Sequence, residues 1–149
     1  MIRVLSFKNQ GNHKPIAGHV LLATTEVLLK HDVAPVSLLD WRAHSIKRKV
    51  NSTLSAETEA VKAGLGRALH ARKLFVSMLD PTWSPKVEDE DPRTCGIKVA
   101  EVTDCASLYD NITSNVRPPT EERDRIPVLI IKEDLKKKDV EIRWSPTKA

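Results

Sequence analysis

The stretch "STLSAETEA" (residues 52–60) marks the point at which the sequence pattern changes from strand to helix. Apolar residues recur at helical spacing from Ser55 to Asp80, and this spacing predicts one long helix. Pro81 ends the pattern because proline interrupts a helix. Three residues are candidates for the N-terminal cap: Ser52, Thr53 and Ser55.

Two glutamates, Glu57 and Glu59, stand near the start of this helix. Acids at that place can complement the helix dipole, cap free backbone amides or hold a metal ion. The local sequence does not separate these three roles, so the choice depends on what the rest of the chain supplies.

Strand-like segments precede the helix and alternate with helices after it. Residues 2–7, 16–25 and 36–44 predict a three-stranded antiparallel meander. The later elements are a strand at 96–103, a short helix at 104–113, a helix at 126–138 with Pro127 in its first turn, and a strand at 140–144.

Length and composition describe one ordinary globular domain. The chain has 149 residues, of which 40% are apolar and 30% are charged, and this length is sufficient to bury a core. No run is long enough to span a membrane, and the N-terminus lacks the apolar core of a signal peptide. Cys95 and Cys105 match no disulfide framework or zinc pattern. We therefore expect both to pack inside an intracellular protein, cytoplasmic or nuclear.

Positive charge is concentrated in the first half of the chain. Residues 1–75 carry 12 lysines and arginines against 5 acids, whereas residues 76–149 carry 12 against 15. This asymmetry favours an anionic partner for the first half. A basic surface without a partner is equally consistent with the charge alone.

A further acid, Asp104, stands where the fourth predicted strand ends. The carboxyl ends of strands are where α/β sheets place ligand-binding side chains. Aspartate is also a good helix N-cap, and this structural role stays open for Asp104. A meander, a helix that starts with Glu57 and a strand that ends in Asp104 would bring two carboxylates together over one sheet.

Several motifs resemble the ribonuclease H (RNase H) domain of copia-type retrotransposon Pol polyproteins. They are "WRA" (41–43) at a strand end, "STLSAE" (52–57) at the helix start, "TDCASL" (103–108) after the fourth strand and "RWSPT" (143–147) at the last strand. The resemblance covers most of the chain in the correct order. It implies a ribonuclease H-like α/β fold, with a mixed five-stranded sheet flanked by helices and the final helix missing. It also implies a single domain over residues 1–149, incomplete at the C-terminus.

The activity that this resemblance implies is Mg²⁺-dependent endonucleolytic cleavage of RNA in RNA/DNA hybrids. Two metal ions held by four carboxylates perform that reaction. Glu57 and Asp104 match two of the four, as catalytic and metal-binding residues. The family has a small residue three positions after its helix glutamate. Ala60 stands three positions after Glu57, so the resemblance selects Glu57 as the ligand, and Glu59 is interpreted as an acid that complements the helix dipole.

The other two carboxylates have no counterpart in the sequence. The family's first-strand aspartate would stand at residues 8–10, which are Lys, Asn and Gln, and Asn9 is a weaker neutral stand-in. The fourth acid belongs to a helix that would follow Ala149. We therefore expect the cleavage activity to be lost or strongly impaired. Two alternatives are a catalytically inactive nucleic-acid-binding module and a retroelement remnant without a function of its own.

A basic segment between the third strand and the long helix is a candidate for nucleic-acid binding. Its expected partners are an RNA/DNA hybrid and the reverse transcriptase portion of a parent polyprotein, without a membrane. A solvated basic loop is the alternative. Phosphate contacts are assigned to Arg42, Lys47, Arg48 and Lys49, with hydrogen bonds from Ser52 and Thr53.

Two tryptophans and a segment with several prolines also carry expectations. We expect Trp41 and Trp144 in the core or at the flank of the sheet, not as stacking surfaces for bases. Residues 81–94 are acidic and contain several prolines, so we expect an exposed loop of little structural importance.

Overall fold

Five strands form one mixed sheet in the computed structural model, which describes residues 2–9, 16–29, 33–47, 52–87, 94–114 and 122–146. The strands are β1 (Ile2–Asn9), β2 (Ile16–Thr24), β3 (Val36–Ser45), β4 (Val99–Thr103) and β5 (Val140–Trp144). The helices are α1 (Thr53–Leu79), α2 (Ala106–Thr113) and α3 (Glu122–Lys137), with short 3₁₀ helices at Glu26–Leu29 and Pro85–Val87.

The strand order in the sheet is β3-β2-β1-β4-β5. β1, β2 and β3 pair antiparallel, whereas β4 is parallel to β1 and β5 is parallel to β4. Parallel neighbours require crossover connections. Accordingly α1 precedes β4 in the chain, and α2 and α3 connect β4 to β5. The predicted mixed sheet of five strands, with its antiparallel meander, is confirmed.

All three helices pack on one face of this sheet. Leu21 of β2, Val99 of β4 and Val140 of β5 belong to a single buried cluster with residues of each helix. All five residues of β4 are buried, as is typical of a strand with parallel neighbours. The helix residues of the cluster are Val61, Leu65 and Ala68 from α1, Leu108 and Ile112 from α2, and Val128, Ile131 and Leu135 from α3.

The third helix begins earlier than its apolar residues predict. It starts at Glu122, with acids at Glu122 and Asp124 in the first turn, where they complement the helix dipole. Pro127 therefore lies in the second turn, and the prediction that it occupies the first turn is wrong. The prediction followed the apolar residues from Ile126 onwards, whereas the first turn of the helix is polar and charged.

Side-chain exposure also differs from expectation at several positions. Trp41 is 69% exposed and Trp144 is 47% exposed, so neither is in the core. Each belongs to an edge strand, β3 or β5, where the sheet offers neighbours on one side only. Trp83, within the segment predicted to be an exposed loop, is buried at 4% exposure. Cys95 is exposed, contrary to its predicted packing role.

None of the helices in the described ranges combines the length and the apolar character that a membrane span needs.

A buried histidine lies on the face of β2 that α1 covers. His19 alternates with Ala17 and Leu21, both buried under α1, and it is only 2% exposed. Its Nε2 atom lies 3.9 Å from Oδ2 of Asp40. Burial lowers the pKa of His19 below the ordinary value of 6.5, since the charged imidazolium loses hydration there. The nearby carboxylate of Asp40 opposes this shift but does not reverse it.

The free energy of unfolding is therefore expected to fall as the pH drops below about 6.5. In that range the unfolded chain takes up a proton at residue 19 and the folded chain does not, so acid favours unfolding. One such proton contributes a slope of at most about 1.4 kcal/mol per pH unit. Urea unfolding between pH 5 and 8 measures this slope, and His19→Gln should reduce it. His70→Gln, on the exposed side of α1, should keep the wild-type slope, and equal slopes in wild type and His19→Gln would contradict the assignment.

Candidate active site

The carboxyl ends of the parallel strands define one edge of the sheet. Ser6 of β1 lies beside Thr103, the last residue of β4. Asp104 follows directly, so it stands at the carboxyl edge where α/β sheets bind ligands.

The start of α1 lies at this same edge. Ala56 and Ala60, in the first turns of α1, pack in one cluster with Ala17 of β2. Ala17 pairs with Lys8 near the carboxyl end of β1. The first turns of α1 therefore lie over the edge that carries Asp104, and the structure brings the two predicted carboxylates to one end of the sheet.

The two glutamates of α1 differ in burial. Glu57 is buried at 4% exposure, whereas Glu59 is partly exposed. Burying a carboxylate is costly unless partners compensate for its lost hydration. This difference is consistent with a specific role for Glu57 and a solvent-facing role for Glu59. The assignment of Glu57 as a metal ligand stays a prediction.

Asp104 does not cap the helix that follows it. The N-cap of α2 is Cys105, and its side chain makes no capping hydrogen bond. The backbone N–H of Cys105 instead donates to Oγ1 of Thr103 at 3.1 Å. Asp104 itself is exposed, and its main-chain oxygen accepts a hydrogen bond from Nε1 of Trp144 at 3.3 Å. The residue at the N-cap position of α2 is therefore Cys105, one residue after Asp104.

Ser52 is the N-cap of α1, and its hydroxyl joins two helices. Its Oγ accepts a hydrogen bond from the backbone N–H of Ser55 at 3.0 Å and donates one to Oδ2 of Asp124 at 3.0 Å. Asp124, in the first turn of α3, is buried at 4% exposure. Asp124 was not among the predicted site residues. The signal for it in the sequence was an acid near the start of a helix. A hydroxyl has one O–H, so the predicted hydrogen bond from Ser52 to nucleic acid would have to replace the bond that Ser52 donates to Asp124.

The basic residues of the candidate nucleic-acid segment lie partly within the described residues. Arg42 on β3 and Lys47 after it are exposed, as is Thr53 at the first position of α1. Lys47 follows Ile46, which packs with the first turns of α1, so this lysine lies beside the helix start. Arg48 and Lys49 lie outside the described residues. The geometry does not test any of the six nucleic-acid contacts predicted from the sequence, which therefore stay predictions.

A two-metal centre does not fit the donors that the structure describes. Within the described ranges, no three His, Cys, Asp or Glu residues come together in a way that could hold a metal ion. Strand β1 contains no acid. Asn9, the predicted neutral stand-in, lies three residues beyond Ser6 and pairs with Ile16. Glu57 and Asp104 are thus two carboxylates at one end of the sheet, their role as metal ligands stays a prediction, and no catalytic step through a metal ion is assigned to them.

Comparisons with known proteins place the fold. No protein-family model matches the chain, and no curated protein matches it. RNase H1 from the halophilic archaeon Halobacterium salinarum matches with a TM-score of 0.63 and 14% identity, over 98% of this chain and 86% of that one.

Two further solved structures contain an RNA/DNA hybrid. LC11-RNase H1 in complex with a hybrid matches with a TM-score of 0.53 and 13% identity, over 99% of this chain and 86% of that one. The foamy viral protease-reverse transcriptase in complex with a hybrid matches with a TM-score of 0.54 and 12% identity, over 99% of this chain and 17% of that one. At these identities the likeness establishes the fold. The chain has a ribonuclease H-like fold, and the predicted fold class is confirmed.

Proposed function

We propose that this chain is an RNase H-like domain of copia-type retrotransposon Pol origin that binds RNA/DNA hybrids and has lost most of its cleavage activity. The observation that carries the proposal is that Glu57 and Asp104 lie at the same end of the sheet, and that the described residues bring no three metal-binding side chains together there. Two of the four acids that the resemblance implies are at this end of the sheet, and the other two have no counterpart in the sequence.

Hybrid binding is supported by charge at this edge. The exposed Lys47 lies beside the start of α1, and two solved structures with the same fold hold an RNA/DNA hybrid. Lysine and arginine contacts to phosphates supply most of the sequence-independent affinity of such proteins. Binding of this kind requires the fold and the cations, and it does not require a complete metal centre.

Impaired cleavage is supported by the chemistry of the donors. Mg²⁺ prefers oxygen ligands, and when two ions are bound they supply an activated water and a stabilised leaving oxygen. Glu57 and Asp104 would remain as ligands for such ions. Two carboxylates cannot replace the four that the resemblance implies, so hydrolysis would be impaired, while the lysines and arginines of the basic segment could still bind phosphates.

A reverse transcriptase portion is the protein partner that the proposal implies. The matching region of the foamy viral chain makes up 17% of a protease-reverse transcriptase. By analogy, we place this domain beside a polymerase portion in a parent polyprotein, which would deliver the hybrid.

Fluorescence anisotropy of a labelled RNA/DNA hybrid tests the binding function. We expect saturable binding that weakens with salt, and Lys47→Glu should weaken it roughly three- to tenfold and lower the salt slope by about one. The matched control is Lys136→Glu. Lys136 is also exposed, but it lies in the last turn of α3, just before β5 begins. It is therefore at the amino ends of the parallel strands, opposite to the end that carries Asp104.

Two outcomes would contradict the proposal. Equal weakening by both charge reversals would mean that the binding is non-specific attraction to a basic protein. If the protein shows neither saturable binding at low salt nor cleavage, the alternative of a retroelement remnant without a function of its own is favoured.

A further inference from the structure

The two edge strands of the sheet differ in length and in protection. β3 has ten residues, whereas β5 has five. In β5 the two charged residues Glu141 and Arg143 contact each other at 2.7 Å, and a short, charged edge resists pairing with a further strand. Among the described strands, β2 alone pairs with β3. The free edge of β3 is therefore the better template for a further strand.

The face of β3 that points away from the helices is apolar and exposed. Trp41 pairs with Val20 of β2, and Leu38 pairs with Leu22. Val20 and Leu22 flank Leu21, which is buried under α1, so the two pairs lie on the opposite face of the sheet. Trp41 is 69% exposed and Leu38 is 59% exposed. Exposed apolar area along a free strand edge indicates an interaction surface.

Two opposite charges, Asp40 and Arg42, lie on the helix face of β3, one on each side of Trp41. Their partners on β2 are Leu21 and His19, both buried. α1 leaves this part of β3 accessible, because a cavity of about 400 Å³, lined in part by Asp40, lies between α1 and β3. Both charges are therefore within reach of another molecule that approaches the free edge.

The order of these charges along β3 complements itself when the strand is reversed. We propose that the protein forms a twofold-symmetric dimer in which the β3 strands of two copies pair antiparallel, with Trp41 of each copy at the axis. In this register Asp40 of each copy is opposite Arg42 of the other. Opposite charges at opposed positions stabilise an antiparallel pair, and like charges destabilise it. The neighbouring register centred on Arg42 would oppose two arginines, so the charges select Trp41 as the centre.

The helices do not obstruct such an interface, which is self-complementary as a twofold contact requires. α1 packs over β1, β2 and β4, so the helices of the two copies lie apart on one face of a continuous sheet. On the other face the two Trp41 rings would contact each other, and aromatic pairs across strands are stabilising. Asp40 also contacts Arg67 of its own chain at 3.4 Å, and a carboxylate accepts more than one hydrogen bond.

The regular part of β3 limits the strength of the dimer. The β2–β3 register shifts next to Leu39, and a bulge disrupts the ladder locally. The contact between the two copies is therefore short and lies at the small end of protein interfaces, so we expect a dissociation constant in the micromolar range.

Sedimentation velocity without nucleic acid tests the dimer. Wild type should shift from monomer to dimer as its concentration rises through the micromolar range. Asp40→Arg would oppose cations and Arg42→Glu would oppose acids, so each should raise the dissociation constant at least about tenfold. An equimolar mixture of the two variants should recover the dimer, because each opposed pair in the mixed dimer joins a cation to an anion.

Variants of the other edge strand are the matched controls. Arg143→Glu and Trp144→Ala change a charge and an exposed ring on β5, and the dissociation constant should stay within about twofold of wild type. Trp41→Ala should raise it at least about fivefold. Far-ultraviolet circular dichroism checks that each variant is folded. If Asp40→Arg does not fold, Arg42→Glu and Trp41→Ala provide the test.

Several outcomes would overturn this inference. A wild-type chain that stays monomeric up to millimolar concentration has no such dimer. A dimer that survives Arg42→Glu and Trp41→Ala, or that Arg143→Glu abolishes, forms through another surface. If the two folded charge variants stay monomeric when mixed, the register about Trp41 is wrong. Hybrid binding is not a readout here, since Arg42 is also a predicted phosphate contact, and the proposed function stands or fails independently of the dimer.

Discussion

Wild-type protein is expected to hydrolyse an RNA/DNA hybrid in Mg²⁺ at least about a thousandfold more slowly than an RNase H with a complete set of carboxylates. Each carboxylate at a two-metal site helps to hold the ions that stabilise charge in the transition state. Here β1 contributes no acid, and the described residues bring no three metal-binding side chains together. Cleavage of a labelled RNA strand under single-turnover conditions measures the rate, with LC11-RNase H1 assayed in parallel.

Asp104→Asn is the decisive control for this expectation. If the metal site is incomplete, the variant and the wild type should show the same background cleavage. A wild-type rate similar to that of LC11-RNase H1, removed by Asp104→Asn, would show that Asp104 serves a fully working site. The prediction of impaired cleavage would then be wrong, although the placement of Asp104 at the candidate active site would be supported.

Leu108→Ala is expected to lower the free energy of unfolding by about 2–5 kcal/mol. Leu108 has no exposed surface, and it packs from α2 into the cluster that joins the sheet to α1 and α3. Removing its side chain leaves a cavity where the residues following Asp104 are anchored. Urea unfolding at pH 7 measures the change, which corresponds to a fall in Tm on the order of 10 °C for a chain of this size.

The matched control is the same substitution on an exposed surface. Leu129 on α3 is 51% exposed, so Leu129→Ala should change the free energy of unfolding by less than about 0.5 kcal/mol. Similar losses for the two variants would show that α2 is not packed into the core as the structure has it.

The order and type of the elements were predictable because they depend on local patterns. Helical spacing from Ser55 onwards indicated α1, and short apolar runs with β-branched and aromatic residues indicated the strands. The start of α3 was predicted too late, because its first turn is polar and charged while the apolar run begins only at Ile126. Boundaries of this kind depend on capping and dipole interactions, which a hydrophobic pattern does not report.

The candidate site was predictable only in part, for a related reason. Glu57 and Asp104 could be selected from their motifs, since each motif is a short run of sequence. Asp124 could not, because its burial and its bond to Ser52 depend on how α3 packs against the start of α1. Trp144 was expected in the core or at the sheet flank, and its exposure follows from its place at the end of an edge strand.

The sequence by itself determined the order of strands and helices, the basic segment and the absence of an acid from β1, since periodicity, charge and residue identity are properties of the chain alone. The tertiary structure decided which of these residues lie at the same end of the sheet. It placed Glu57 and Asp104 at one end of the sheet, put Cys105 rather than Asp104 at the N-cap position of α2, and left the ring of Trp144 partly exposed beside Asp104. Contacts between residues far apart in sequence arise when helices pack on a sheet, and that packing is settled by the whole core rather than by any one segment.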